Sequence, residues 1–179
     1  MNQKTRSAPP RAMAMLEALR GLGYSTAAAL ADIIDNSISA GAKEVHVNFA
    51  WDGVDSRVTI LDDGRGMDDA ELESAMRLGD KNPLDARAAN DLGRFGMGLK
   101  TASFSQCRRL TVASVKQGVE SCLRWDLDEL AAHPEGGWFL FEGPAIGIEA
   151  FCGCLEGQES WHSDLMGGYG SCGYHRLHL

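Results

Sequence analysis

Residues 31–42 read Ala31-Asp-Ile-Ile-Asp-Asn-Ser-Ile-Ser-Ala-Gly-Ala42. The order of apolar and polar side chains predicts one helix with two unlike faces. At 100° per residue, with Leu30 at zero, Ile34 and Ile38 fall at about 40° and 80°, and Asp32 and Asn36 at about 200° and 240°. The first face reads as core. The second carries a carboxylate and an amide one turn apart. An amide oxygen suits a hard cation such as Mg2+, and a carboxylate beside it can orient or deprotonate a water. Taken alone, the commoner reading of such a pair is a solvated helix face.

Ser25 or Thr26 can cap this helix, and Gly41 closes it just past Ser39. Upstream, residues 11–20 hold no breaker and form an earlier helix, stopped by Gly21 and Gly23. Residues 1–10 form a loose arm ahead of it. Downstream, Glu44-Val-His-Val-Asn-Phe-Ala-Trp51 alternates as a half-buried strand does, and Asp52-Gly53 marks a turn. Arg57-Val-Thr-Ile-Leu61 is a second strand, and Asp68 caps a third helix with Glu71 in capping-box position. Strands at about 109–115, 119–126 and 138–141 follow, with a short helix over 126–132. Helices gathered early, then strands with interspersed helices, predict an α/β two-layer sandwich with a mixed, mostly antiparallel sheet.

Two further stretches carry chemistry. Asp62-Asp-Gly-Arg-Gly-Met67 stands at a strand end. Its glycines permit tight turning and close backbone approach to a ligand, and a carboxylate there can accept from an exocyclic amine such as adenine's. An ordinary Asp-Gly turn reads the same way. Gly93-Arg-Phe-Gly-Met-Gly-Leu-Lys-Thr101 leads into a helix. Backbone N–H groups at such a terminus suit phosphate, with Lys100 and Thr101 adding a charge and a hydroxyl. The spacing fits neither a Walker loop nor a dinucleotide fingerprint. A flexible hinge is the plain alternative.

Composition excludes other classes. The 179 residues are 44% apolar with formal charge −8, a globular composition whose acidic balance gives no bulk support for a nucleic-acid or membrane surface. No run approaches the ~18 apolar residues of a membrane span. Lys4 and Arg6 are followed by no apolar stretch, so no signal peptide is visible. Five cysteines without a secretory signal read as reduced thiols in a cytoplasmic protein, and Cys152-Gly-Cys154 has no zinc spacing.

The three motifs in this order, with a polar loop between the second and third, resemble the GHKL superfamily of ATP-binding domains: gyrase, the heat-shock chaperone of that class, histidine kinases and MutL. The resemblance covers about residues 11–126. Asp35-Asn-Ser-Ile-Ser-Ala-Gly-Ala42 is similar to the N-box of the MutL and MORC branch. Leu92-Gly-Arg-Phe-Gly-Met-Gly-Leu-Lys-Thr-Ala-Ser-Phe-Ser105 looks closest to bacterial MORC-like ATPases. The resemblance implies a Bergerat-type fold with helices on one face, ATP as ligand and Mg2+ as cofactor. It assigns Mg2+ to Asn36 and water activation to Asp32, where hydrolysing members usually carry Glu. That side chain is one methylene shorter, a setback of ~1 Å that can cost ~10²-fold in rate. It assigns adenine to Asp62 with Gly64, Gly66 and Met67, and phosphate to Gly93, Gly96 and Gly98, followed by Lys100 and Thr101. Residues 79–98 would form the lid over ATP.

The expected organisation is therefore an arm over 1–10, an ATP-binding domain over 11–160 and an atypical tail over 161–179. The tail, from Trp161, shows neither helical nor strand period. It reads as disordered or as translated out of frame, since a shift of one base permits Gly-Thr-Leu-Thr-Leu-Trp-Glu. The gyrase/MutL branch also completes its phosphate site with a lysine from a following domain. The expected function is Mg-ATP binding with slow hydrolysis, lid closure and ATP-dependent homodimerisation, with DNA or a protein as client and no membrane partner. A non-catalytic nucleotide-sensing module or truncated remnant is the alternative. A protein kinase comes behind: only 31 residues precede Asp32 and they hold no His, which counts against a histidine kinase, while an anti-sigma-type kinase is compatible with that length but has an N-box less like this one.

Overall fold

The computed structural model describes residues 4–21, 23–79, 98–133 and 137–144, with the backbone of 171–178. Helices α1 (Ala12–Arg20) and α2 (Thr26–Ser39) come first, then strands β1 (Val45–Ala50) and β2 (Arg57–Asp62), joined through a short 3-10 turn at Gly53–Asp55. Helices α3 (Asp69–Met76) and α4 (Gly98–Gln106) precede β3 (Arg109–Lys116) and β4 (Val119–Asp126). Helix α5 (Leu127–Ala132), β5 (Phe141–Glu142) and β6 (Ser171–His178) complete the order.

Local chemistry accounts for the helix starts. The Ser25 hydroxyl accepts from the backbone of Ala28 and caps α2. Asp68 and Glu71 close a reciprocal capping box at α3, and the Asp126 carboxylate accepts from Asp128 and Glu129 at α5.

Among the described residues six strands run β1-β2-β6-β3-β4-β5, and every pairing is antiparallel. The parallel element of the expected mixed sheet survives only as a relation across a gap: β2 and β3 run alongside one another with β6 between them. The core lies between one sheet face and the helices. Val58, Ile60, Leu110, Val112, Leu123 and Trp125, at alternate strand positions, meet Leu16, Ile33, Leu72 and Phe104 from four helices.

Three expectations are corrected. The buried stripe of α2 is Ala29, Ile33 and Ser37, while Ile38 is 53% exposed. The helix is thus turned by about one residue, roughly 100°, from the face its aliphatics suggest. Small Ala29 and a hydroxyl with a partner below take the inward positions. The strand expected over 138–141 is confined to Phe141–Glu142. Ser171–His178, which shows no strand period in sequence, forms β6 inside the sheet. A strand flanked on both sides is held by main-chain ladders, which need no side-chain alternation.

Candidate functional site

The turn of α2 moves Asp32 and Asn36 from the outer face to the flank of the buried stripe, where both are half-buried. The Asn36 amide nitrogen donates to the backbone carbonyl of Asp32 at 2.8 Å. That bond fixes the amide plane and engages the amide through its nitrogen rather than its oxygen. The Tyr24 hydroxyl donates to Asp32 Oδ2 at 2.8 Å. Tyr24 lies just ahead of the helix cap, and α4 holds it there: Gln106 donates to the Tyr24 carbonyl at 3.0 Å and accepts from Thr26 at 2.7 Å. The phenol is held above the ordinary tyrosine range by its hydrogen bond to Asp32, then by desolvation and the carboxylate's charge, with Thr101 acting in the opposite sense.

Asp62 ends β2 beneath α2 and is only 4% exposed. Its Oδ2 accepts from the buried Ser37 hydroxyl at 2.8 Å, and its Oδ1 from the Gly64 amide at 2.9 Å. A buried carboxylate requires such donors, and here they also fix its direction. A Cβ on Gly64 would come within 2.8 Å of Asp62 Oδ1 and 2.9 Å of Ala40 Cβ, so the position admits no side chain. Gly66 has φ of 65°, a left-handed conformation that favours glycine. Met67 is half-buried against the core, and its amide donates to the Ser114 hydroxyl at 2.7 Å. The neighbouring Asp63 has a different task. Its Oδ1 accepts from the amides of Lys43 and Glu44, tying the loop after α2 to the loop after β2. These bonds hold its carboxyl below the usual range.

The third motif is placed in part. Gly98 opens α4, and Thr101 is buried against the Tyr24 hydroxyl. Lys100 is 2% exposed, with its ammonium donating to the Arg77 carbonyl at 2.7 Å. It therefore anchors the end of α3 as it stands. Gly93, Gly96 and the expected lid, apart from Gly79 and Gly98, lie outside the described residues, as do 161–170 of the tail.

The first and second motifs are thus brought together by α2, with Ser37 bridging to Asp62. The first and third meet through Tyr24. Sequence reading missed Ser37 and Tyr24. Ser37 had a signal, a hydroxyl four residues after Ile33 on the buried stripe. Tyr24 had none, because the contact depends on how α4 packs. A separate groove of about 510 Å3 lies between α3 and the β4–β5 end of the sheet, lined among others by Glu73, Arg77, Trp125 and Trp138; it contains none of the motif residues. Among the described residues no helix is long and apolar enough to cross a membrane.

A family model described as histidine kinase-, DNA gyrase B- and HSP90-like ATPase matches residues 24–142. ATPase morc-1 of Caenorhabditis elegans is 30% identical over 95 residues, 53% of this chain and 11% of that protein. The DNA mismatch repair protein MutL of Rhodospirillum rubrum is 30% identical over 118 residues, 62% of this chain and 19% of its own length. MutL of Sphingopyxis alaskensis is 30% identical over 149 residues, 82% of this chain and 24% of its own length. The chain spans a quarter or less of these relatives.

Proposed function

The chain belongs to the family of histidine kinase-, DNA gyrase B- and HSP90-like ATPases, and from that membership we propose that it binds ATP with Mg2+ and hydrolyses it slowly. The carrying observation is the buried Asp62 carboxylate, aimed by Ser37 and Gly64 beside a glycine that admits no side chain. Such a group accepts from the exocyclic amine of adenine, while Gly64 and Gly66 let the base approach and Met67 packs against it. The N-terminus of α4 at Gly98 faces the phosphates in this reading, with Thr101 beside it; the sequence adds Gly93 and Gly96.

The donor set fits Mg2+. Asn36 offers a hard amide oxygen with its nitrogen already engaged. Among the described residues no three His, Cys, Asp or Glu side chains converge, so a cation at Asn36 takes its other ligands from phosphate and water. When bound, Mg2+ supplies charge stabilisation to the phosphates. Asp32 accepts the proton of a water whose oxygen attacks the γ-phosphorus; the bond to the β-phosphate oxygen breaks, giving ADP and phosphate.

Lid closure over residues 79–98, an ATP-dependent homodimer, a DNA or protein client and a cytoplasmic setting belong to the same proposal. The second reading, a nucleotide sensor without turnover, draws on the engagement of the short Asp32 side chain by Tyr24. Calorimetric titration of ATP with and without Mg2+ tests binding, and single-turnover hydrolysis of labelled ATP separates the two readings. Asn36→Ala is expected to abolish the Mg-dependent part of the affinity; an unchanged titration removes Asn36 from the site.

A further inference from the structure

We propose that Tyr24 is the positioning residue for Asp32, fixing where its carboxylate stands relative to the attacking water; this rests on the hydrolytic reading above. A helical Asp has two free side-chain torsions, and one methylene fewer than Glu with which to reach a ligand. Its effect on a water then depends on how narrowly those torsions are held, because a misplacement near 1 Å costs ~10²-fold. The Tyr24 hydroxyl holds one oxygen, Oδ2, at 2.8 Å. That leaves Oδ1 as the oxygen presented to the water.

The anchor is itself fixed from two sides. Its backbone carbonyl is held by Gln106 at the C-terminal end of α4. Its hydroxyl meets Thr101 in the first turn of the same helix. The phenol therefore links the helix that faces the phosphates to the carboxylate that faces the water. A change in the seating of α4 is carried to Asp32 through one hydroxyl. The phenol is held above the ordinary tyrosine range, so it remains a donor through neutral pH.

The test is a double-mutant cycle of Tyr24→Phe and Asp32→Asn in the full chain, read as ATP affinity and as single-turnover rate. Phe keeps the ring and the backbone bond to Gln106 and removes only the hydroxyl. Tyr24→Phe is expected to leave ATP affinity within about twofold and to lower the hydrolysis rate by 10-fold or more, on the order of one lost hydrogen bond at the reacting group. In the Asp32→Asn background the same substitution is expected to change nothing further. Turnover undiminished in Tyr24→Phe overturns the role of Tyr24. An equal loss in both backgrounds also overturns it, because a merely structural tyrosine would act without regard to Asp32. Turnover absent from the unaltered chain, with ATP bound, instead sinks the hydrolytic reading on which the role depends.

Discussion

At the scale of single residues the candidate site is set by what stands behind its carboxylates and amide. The place of Asp62 before two glycines marks it as a candidate, but says nothing of its orientation. That orientation comes from Ser37 and from the closeness of Gly64, and both depend on α2 lying across the end of β2. Gly64→Ala tests this packing directly. The new methyl would sit 2.8 Å from Asp62 Oδ1 and 2.9 Å from Ala40 Cβ, so either the carboxylate or the end of α2 must move. Overpacking of this kind costs ~1–3 kcal/mol. Urea unfolding is expected to show that loss, and ATP titration a larger one, because the displaced group is the one proposed to read the base. Full affinity in a destabilised Gly64→Ala chain would separate the carboxylate from base recognition. Lys100 shows a packing role that its sequence position does not. Its position after the glycines suggests a phosphate contact, and tertiary packing in addition buries it and sets its ammonium on the Arg77 carbonyl. Nothing local announces that burial for a long flexible side chain.

At the scale of elements the reading held where local chemistry decides. The capped helix at Ser25, the capping box at Asp68 and the alternating strands at 45–50 and 57–62 stand within a residue or two of their expected bounds. It failed in the rotation of α2, because the aliphatics Leu30, Ile34 and Ile38 outweigh Ala29 and Ser37 in any hydrophobic count, while burial followed the partner below. The α3 cap makes a prediction of its own. Lys116 at the end of β3 donates to Asp68 at 2.9 Å and to Glu71 at 2.7 Å, joining the helix start to the sheet. For Asp68 the backbone of Glu71 and then Lys116 hold the carboxyl below its usual range; for Glu71, Lys116 and then the Asp68 backbone do so. Lowered folded-state values give stability that is present above about pH 4, the unfolded carboxylate range, and lost as pH falls further. The raised Lys116 value acts in the other direction, its contribution fading only as pH rises through the alkaline range. Thermal stability is therefore expected to fall below about pH 4, with a shallower acid limb in Lys116→Met. An identical acid limb in that variant would show that the cap acts without the lysine.

At the scale of the molecule the sheet is two ribbons held together by one strand. β1 and β2 form one ribbon, β3, β4 and β5 the other, and β6 pairs with β2 from Arg57 to Asp62 and with β3 from Arg109 to Lys116. Its start lies at the site, where Gly173 stands in register with Asp62 on one side and with Ser114 on the other. Ser114 in turn receives the Met67 amide. The backbone of β6 thus fixes the spacing between β2, whose end carries the Asp62–Met67 loop, and β3, whose Ser114 receives the Met67 amide. This role was invisible in the sequence because a doubly paired strand is specified by main-chain bonds, and the tail's side chains follow no period. A chain ending at residue 170 tests it. Without β6, β2 and β3 would each present an unpaired edge beside the core, and such edges recruit other chains. The shortened chain is expected to melt at lower temperature, to self-associate in sedimentation and to lose ATP affinity together with its fold. A shortened chain that stays monomeric, melts as before and titrates ATP as before would mean that the two ribbons are held by the helices alone, and that residues 171–178 are dispensable to the site.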